Sequence, residues 1–538
     1  MKRILPMISL WLLLSALCFA DTPYALFVEN RHWIYDAMHI LSVESRQATL
    51  ADRQPLSKGE LSEYFSSFEN AKIPQASEPL YGMMQEYFSG HQFLVNKKYF
   101  AFDVNGVFSL QGQYGYGREN EVRLDRFLRY NRTPAAISIP MQVMFTPYVN
   151  FFADIRLKKN YWGAKLSYPY TNLPLQTNAI DMSWPHQAGL TVGGRYGVIT
   201  IGRGPLNIGR SLAGSMLLAD IVDRLDYMSA AVFYKKVRLS LTVTELEPTR
   251  FVFSHEAAFR PLDWISVRLY EGVVVNAPFD PKYLNPMMIF HNYFGWREST
   301  FNGKPSSTSS VGCQFGVGVD IVPARGLRIY GQYGQNQFQT YYELKNFPEA
   351  RNIPNSLGGL AGIEYIHPFS FGHLSITGEF LYANPWMYIM ENKNISLYLR
   401  RSDPVAPSGK ISSPIMMWLA NPYGPDTMGC FLQVALTQPK KYGAKIRYRF
   451  LVKGENEEKF FKEPDKDVYY PPAKSYDPIA RAKTPSANPS YFHTLSLEGS
   501  YTVIKNLDLT AGFNWTIVTG KRRGHAVDLY TGITYTIR

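Results

Sequence analysis

The chain has few cysteines, no long apolar run beyond its first twenty residues, and fewer acidic than basic side chains. Only Cys18, Cys313 and Cys430 occur among 538 residues, which excludes a small scaffold stapled by disulfides. After residue 20, no stretch reaches the roughly 18 consecutive apolar residues of a membrane helix, so any membrane residence must use strands. Cys313 and Cys430 each open a predicted strand near one rim, where they form either one disulfide or two free thiols.

The first twenty residues have the layout of a secretory signal. Lys2 and Arg3 precede an apolar run from Ile4 to Leu17, and Ala20 precedes Asp21. This pattern predicts a signal peptide over residues 1–20 and an exported mature chain. Because an exported chain rarely meets nucleic acid, the formal net charge of +12 does not indicate a nucleic-acid partner.

Residues 21–95 show helical spacing. Apolar side chains three and four residues apart predict one helix over 31–46. A capping-box pattern over Ser57–Glu60 begins a second helix, and Ser77-Glu78-Pro79 begins a third. We expect these helices to form a small periplasmic unit that packs under the structure built by residues 96–538.

From residue 96 to residue 538, short segments alternate apolar and polar residues. In segment 443–453 the apolar face holds Ala444, Ile446, Tyr448, Phe450 and Val452. Because helices that could cover such faces are scarce, we predict one sheet closed on itself with its apolar side outward. The fold class is an all-β transmembrane barrel of roughly 18 antiparallel strands, including 140–157 and 161–170. A soluble propeller shares the aromatic enrichment, but no blade period is visible.

The gaps between the predicted strands are short on one side of the barrel and long on the other. Short gaps include 158–160 and 322–326, and long gaps include 204–226, 385–427 and 454–493. Outer-membrane barrels have short periplasmic turns and long extracellular loops. We therefore expect a monomer in the outer membrane, in contact with outer-membrane lipid and inserted by the barrel-assembly machinery.

Part of the basic excess lies on the polar faces of the predicted strands. A basic barrel interior would favour anionic solutes or anionic glycans by Coulomb attraction. The alternative is a structural role, in which these residues form charge networks with Asp and Glu. The basic residues of the predicted lumen are Arg238, Arg268, Arg328, Lys445, Arg447 and Arg449.

Motifs that carry chemistry are few. His373 and Ser375 share one strand face, as a base and a nucleophile would, but no nearby acid obviously orients His373, so we predict no catalysis. The histidines lack metal-ligand spacing, and neither a metal nor another cofactor is expected.

Glu271 falls on the predicted lipid face, which indicates a bulge, an interface position or a register error of one residue. Residues 214–223 predict a short helix folded inward as a plug.

Four stretches, at 201–228, 255–292, 317–338 and 423–427, resemble in their order the motifs of capsule-assembly outer-membrane proteins of the Wzi type. The sequence departs from that pattern at Ile208-Gly209, where Trp-Gly is usual, and at Arg538, where an aromatic residue is usual. The resemblance implies an 18-stranded barrel with periplasmic helices, acting as a surface lectin that holds capsular polysaccharide. The residues at the matching positions are Arg203, Asp220, Glu271, Asn285, Pro286, Asp320 and Asp426.

Two functions of different classes remain open. In the first, the protein binds or anchors surface polysaccharide through aromatic and charged side chains of its outer loops. In the second, it is a porin-like diffusion channel whose basic lumen admits anionic solutes. An inward-folded 204–226 segment would favour the first function, and an open lumen would favour the second.

Overall fold

The computed structural model describes residues 23–90, 93–97, 100–117, 132–160, 169–290, 300–301, 304–305, 311–346, 353–390, 392–401, 415–462 and 482–538. The predicted signal peptide over 1–20 lies outside this range. No described helix is long and apolar enough to cross a membrane. The predicted division of the chain between residues 95 and 96 stays a prediction.

Eighteen antiparallel strands form a closed wall, as predicted. Closure comes from the last strand, which pairs with the first from Ala526↔Gly117 to Ile537↔Gly106. The wall strands are β1 (Phe100–Val104 and Gly106–Gly117), β2 (Ile137–Thr146), β3 (Val149–Leu157), β4 (Gln187–Gly193), β5 (Gly197–Gly204), β6 (Leu225–Tyr234), β7 (Val237–Glu247), β8 (Arg250–Leu262), β9 (Ile265–Asn276), β10 (Val311–Ala324), β11 (Leu327–Gln337), β12 (Ser356–Phe369), β13 (Gly372–Ala383), β14 (Thr427–Gln438), β15 (Tyr442–Lys453), β16 (Ser490–Ile504), β17 (Leu507–Gly520) and β18 (Gly524–Ile537).

Helices and short strands lie at the two ends of this wall and inside it. The α-helices are α1 (Trp33–Glu44), α2 (Lys58–Phe65), α3 (Glu78–Ser89), α4 (Tyr341–Asn346) and α5 (Asn456–Lys462). Single 3-10 turns occur at Ser66–Phe68, Gln75–Ser77, Thr177–Ala179, Pro281–Leu284 and Lys393–Ile395. The short strands are Phe27–Val28, Arg53–Gln54, Leu56–Ser57, Val95–Lys97, Tyr170–Thr171, Asn207–Ile208, Thr300–Phe301, Lys304–Pro305, Tyr398–Arg401 and Ile415–Trp418.

The alternating pattern sets which side chains face outward. On β15, Ile446 is 54% exposed on the outer surface, whereas Arg449 and Leu451 are buried on the inner side. Trp515 of β17 and Ile533 of β18 are likewise exposed outward, at 43% and 41%. Because successive strand residues point to opposite faces, each strand presents an apolar row outward and a mixed polar row inward.

The strand count is confirmed, but two of the predicted strands are wrong. The predicted strand 140–157 is two strands, β2 and β3, joined by a turn at Pro147-Tyr148, which the continuing apolar alternation conceals. Val149–Asp154 of β3 pairs directly with β4, so no strand over 161–170 stands between them. Residues 161–168 lie outside the described residues, and Tyr170–Thr171 pairs instead with β1.

The corrected strands also move one connection to the other end. Asn160 N–H donates to Ala179 and Lys158 C=O accepts from Asp181, so 158–160 belongs to the long connection before β4. We call the end of the barrel with connections such as Pro147-Tyr148 the short-turn end. The opposite end is the long-loop end.

Two segments enter the lumen and meet inside it. The N-terminal segment runs in from the short-turn end and the 205–224 segment from the long-loop end. Arg53–Gln54 of the first pairs with Asn207–Ile208 of the second as a two-stranded antiparallel sheet. The barrel interior is therefore crossed by backbone from both ends.

The 205–224 segment folds inward as predicted, but it is not helical over 214–223. Its backbone N–H groups are bound by wall side chains: the Glu379 carboxylate accepts from Leu212 and Ala213, and the Gln332 amide oxygen accepts from Met216. Within 214–223, the Leu217 and Leu218 N–H groups donate to the Ser215 hydroxyl and the Ala219 N–H donates to the Leu419 carbonyl, so these donors do not form helical hydrogen bonds.

A roof covers the long-loop end between β13 and β14. The strands Tyr398–Arg401 and Ile415–Trp418 pair with each other, and Trp418 packs on Phe460 of α5 with ring centroids 5.5 Å apart. Arg250 fixes this roof to the wall, because its guanidinium donates to the backbone carbonyls of Asn394, Ser396 and Tyr398.

Candidate functional site

A cavity of about 650 Å³ lies inside the barrel, beside the two inserted segments. Its walls include α1, residues 207–215 of the inserted loop, and the inner faces of β11 to β18 and of β1. The inward alternation of β15 brings Lys445, Arg447 and Arg449 to this cavity. Four of the six predicted lumen residues therefore line an accessible space, because Arg328 of β11 also lies in the lining.

The cavity has a positive lining. Among the described residues, seven Arg and Lys side chains and four carboxylates line it. Each of the four carboxylates has a basic partner. The pairs are Asp36 with Arg210 at 2.7 Å, Asp220 with Arg31 at 2.8 Å, Glu364 with Arg328 at 3.2 Å and Glu498 with Lys445 at 2.7 Å.

Arg447 and Arg449 bind neutral groups within the cavity wall. Arg447 Nε lies 3.0 Å from the Gln433 amide oxygen, to which it donates. Arg449 donates to the Tyr423 hydroxyl at 3.0 Å and to the Thr494 hydroxyl at 3.2 Å. These two guanidinium groups thus lie beside hydroxyl and amide side chains of the lining.

Arg238 and Arg268 have a different environment, because the N-terminal segment covers them. Glu256 of β8 is 4% exposed and lies 3.2 Å from Arg238 and 2.8 Å from Arg268 Nε, and it also pairs with Arg53. Arg238 donates to Glu60 of α2 at 2.7 Å. The network has both the arginines and the carboxylates that a structural role requires.

Helix α1 is fixed to the wall by two buried histidine–carboxylate pairs. His39 Nε2 lies 2.9 Å from Glu364, and His373 Nδ1 lies 2.7 Å from Glu44. Burial lowers the pKa of His39 below its ordinary value, although the Glu364 carboxylate opposes that change.

The expectation that no acid orients His373 is wrong, since Glu44 approaches it from a different part of the chain. Both His373 and Ser375 line the cavity. Among the described residues no hydrogen bond joins them, and Glu44 also accepts from the Ser77 hydroxyl at 2.5 Å. This arrangement fixes α1 against β13 and does not assemble a nucleophile with its base.

The residues that carry the family resemblance are spread over several regions. Asp220 pairs with Arg31 at the cavity, and Asp320 pairs with Arg328 on the inner face of the wall. Arg203 lies on the outward face of β5 and forms a two-pronged pair with Asp226 at 2.7 and 2.8 Å. The structure does not join these residues into one site.

Glu271 keeps its predicted outward position, and no bulge turns it inward. Pairing with β8 is continuous here, with Glu271 opposite His255. The loop after β9 folds back over the outer face of the wall, where Phe290 stacks on the His255 ring at 4.3 Å. Phe253 and Val273 of the same outer face are fully buried beneath this loop. The carboxylate therefore lies beside protein rather than on a bare lipid face.

Asn285 and Pro286 lie at the exposed part of this folded-back loop. The Asn285 side-chain oxygen accepts from Met287 N–H at 3.1 Å. This contact is local and shapes the loop. Neither residue is directed toward the cavity lining.

Asp426 is a fully buried junction between long-loop segments. Its carboxylate accepts from the backbone N–H groups of Ser486 and Asn456, at 2.9 and 3.1 Å, and its own N–H donates to Asn384. The carboxylate packs so closely on residue 454 that glycine alone leaves it room. Asp426 thus connects the roof to two other segments.

Cys313 and Cys430 are both free thiols. Cys313 lies on β10 and Cys430 on β14, four strands apart around the wall. At about 4.8 Å between strands, this separation is about 19 Å, well beyond the reach of a disulfide.

No protein-family model matches the sequence, and no curated protein matches it. Among solved structures, the chain is similar to Wzi of Escherichia coli, an outer-membrane protein involved in group 1 capsule assembly and described as a carbohydrate-binding β-barrel. The identity is 12%, the alignment covers 95% of this chain and 99% of that chain, and the TM-score is 0.57. The fold is that of the Wzi barrel. The predicted recognition is confirmed at the level of the fold.

Pseudomonas aeruginosa barrels align less completely. OprD is 8% identical with a TM-score of 0.39, and the alignment covers 81% of this chain and 96% of that chain. OccK10 (OpdN) is 9% identical with a TM-score of 0.40, with 81% of this chain and all of that chain covered.

The sequence prediction missed the residues that divide the lumen. Arg53, Glu60 and Asp52 reach the wall from the N-terminal segment, which was expected to pack under the barrel. The inward position of Glu256 could have been predicted from the sequence. On β8 it lies on the face opposite to that of Phe253 and His255, which point outward. Of the three arginine partners of Glu256, Arg238 and Arg268 lie on the neighbouring strands and were predicted to face the lumen. Arg53 comes from a distant part of the chain and could not be identified from spacing.

Proposed function

We propose that this chain is an outer-membrane barrel that binds surface polysaccharide at its long-loop end, with a lumen closed to bulk diffusion. The observation that carries the proposal is the sheet between Arg53–Gln54 and Asn207–Ile208, which places backbone from both ends across the interior. Because inserted segments occupy much of the interior, we assign binding of a long polymer to the surface of the long-loop end. The long-loop end would face the cell exterior, as in other outer-membrane barrels.

The long-loop end offers aromatic side chains that suit sugar rings. Tyr341 and Tyr342 of α4 are 81% and 68% exposed, and Trp184 is 47% exposed. Such rings combine a flat apolar face with a polar edge, which allows them to stack on a sugar and hydrogen-bond its hydroxyl groups. The description of Wzi as a carbohydrate-binding barrel supports the same class of ligand.

A porin-like channel for anionic solutes is the second candidate. The positive lining of the cavity favours it, since a basic constriction selects anions. The inserted segments and the roof oppose it, because they occupy the path that a solute would take.

The proposal is tested by binding of the purified, detergent-solubilised protein to a panel of acidic and neutral surface polysaccharides. We expect saturable binding that weakens at least fivefold in a Tyr341→Ala/Tyr342→Ala double variant. Phe371→Ala removes an exposed aromatic at the short-turn end and is the matched control. Equal binding by both variants, or no binding to any polysaccharide, would contradict the proposal.

A further inference from the structure

We infer that the lumenal cavity beside β15 is a binding site for one acidic sugar unit, with Arg447 as the group that receives its carboxylate. This inference rests on the proposed function and narrows its ligand class. It assigns a second location for the ligand, inside the barrel and separate from the aromatic surface of the long-loop end.

Arg447 has hydrogen-bond donors that the described residues do not use. A guanidinium has five N–H donors, and Arg447 directs Nε and Nη2 at a single neutral acceptor, the Gln433 amide oxygen. Among the described residues no carboxylate lies within ion-pair distance of Arg447, and the Glu498 carboxylate, which pairs with Lys445, acts on it only from farther away. Its side chain is half-buried and lines the cavity, so its remaining donors are available to a bound anion. An arginine fork matches the two oxygens of a carboxylate.

The charge of the described lining favours an anion. Among the described residues, seven basic side chains and four carboxylates line the cavity, and each of these carboxylates has a basic partner. A bound carboxylate would reduce the positive excess of these residues, whereas a neutral ligand would not. The low-dielectric surroundings of a barrel interior strengthen that preference.

The neutral side chains of the lining suit a sugar. Around Arg447 lie the hydroxyl groups of Thr494 and Thr516 and the amides of Gln433 and Asn514. Hydroxyl groups both donate and accept hydrogen bonds, and amides present both kinds of group, which suits the hydroxyls of a sugar. A site for a simple inorganic anion would need only the cations. The volume of about 650 Å³ falls within the range of small-ligand sites.

The experiment uses the full-length protein in detergent and measures binding by titration calorimetry at low salt. The probes are a disaccharide with one glucuronate unit, the corresponding disaccharide of glucose, and inorganic phosphate. We expect the acidic disaccharide to bind at least tenfold more tightly than either of the others. Equal affinity for the neutral disaccharide would overturn the role of charge, and equal affinity for phosphate would overturn recognition of a sugar.

Two substitutions locate the site. Arg447→Gln should weaken binding of the acidic disaccharide at least tenfold, and Gln433→Glu should do the same by giving Arg447 a carboxylate partner within the fold. Arg203→Gln, on the outward face of β5, is the matched control and should bind normally. The heat-modifiable mobility of the barrel on a gel shows that each variant is folded. Normal binding by Gln433→Glu and Arg447→Gln would exclude this cavity.

Failure here is distinguishable from failure of the proposed function. If polysaccharide binding depends on Tyr341 and Tyr342 while the acidic disaccharide does not bind, the surface function stands and the lumenal site is wrong. If both kinds of ligand fail to bind, the proposed function is wrong as well.

Discussion

The two halves of the barrel interior use the same residue type in opposite ways. On β7 to β9, the inward arginines Arg238 and Arg268 are covered by the N-terminal segment and surround Glu256. On β15, Arg447 and Arg449 face a cavity and bind neutral oxygens. We call these the packed half and the cavity half.

The comparison teaches that an inward arginine is not in itself a functional residue. In the packed half, the Glu256 carboxylate compensates the charge of the buried guanidinium groups. Buried charge is tolerated under this condition. In the cavity half, Arg447 faces a space that can hold a ligand and, among the described residues, donates to a neutral amide oxygen. The group that each arginine binds distinguishes a structural arginine from one that can bind a ligand. That group is often remote in sequence.

The largest effect is expected where the packed half loses its central carboxylate. Glu256→Gln leaves several buried guanidinium groups short of a counter-charge, which should cost roughly 3–5 kcal/mol. We expect hydrogen exchange of the 50–65 segment to become roughly a hundredfold faster or more, because each 1.4 kcal/mol corresponds to a factor of ten. Unchanged exchange in this segment would show that the network does not hold the N-terminal segment in the lumen.

The second prediction concerns the pH dependence of the same N-terminal segment. Lys58 is fully buried, its Nζ donates to the Gly90 carbonyl at 2.6 Å, and burial lowers its pKa from 10.5 to about 8. Between pH 8 and pH 10.5 the unfolded segment therefore holds a proton that the folded one has released. Stability should rise with pH across this window, by roughly 3 kcal/mol in total.

Hydrogen exchange of α2 measured from pH 8 to pH 10.5, corrected for the intrinsic exchange rate, tests this dependence. Lys58→Met lacks the titrating group and is the control, for which we expect a flat profile. A wild-type profile as flat as that of the control would contradict the assignment.

The third prediction addresses the roof above both halves. Asp426→Ala removes the acceptor of two backbone N–H groups, at Ser486 and Asn456, and should destabilise the roof by roughly 1–3 kcal/mol. Limited proteolysis should then cut the long-loop segments faster while the wall stays intact. Asp280→Asn, in the exposed folded-back loop, is the matched change and should leave the cleavage rate as it is in the wild type.

The smallest effect is expected from the ion pair of the cavity half. The Lys445 and Glu498 side chains are 42% and 31% exposed, so Glu498→Gln should cost less than about 1 kcal/mol. The substitution also adds to the positive charge of the cavity. It should therefore tighten binding of the acidic disaccharide a few-fold at low salt, as measured by calorimetry. Weaker binding would contradict the positive charge that we assign to the cavity.

The barrel wall could be predicted from the sequence because it depends on local features. These are the apolar–polar alternation within each strand and the length of each connection between strands. The outward row of β15 and the inward fold of 205–224 follow from them. The same patterns failed at Pro147-Tyr148, where the turn is too short to interrupt the alternation. They also failed at 214–223, where the Ser215 hydroxyl and the Leu419 carbonyl accept from N–H groups that a helix would pair with its own carbonyls.

Less of the candidate site than of the wall could be predicted from the sequence. Lys445, Arg447 and Arg449 could be placed on one inward face, but the cavity beside them exists because the N-terminal segment fills only part of the lumen. The protection of Glu271 depends on the Phe290 loop, which returns over the outer surface. Neither feature is a property of neighbouring residues, so neither could be predicted from spacing.

Conductance of the purified full-length protein in planar lipid bilayers tests the central claim most directly. The segments that meet at Arg53–Gln54 and Asn207–Ile208 should leave little or no steady current. Large, stable channels with anion selectivity would contradict the closed lumen and identify the basic cavity as part of a conducting path.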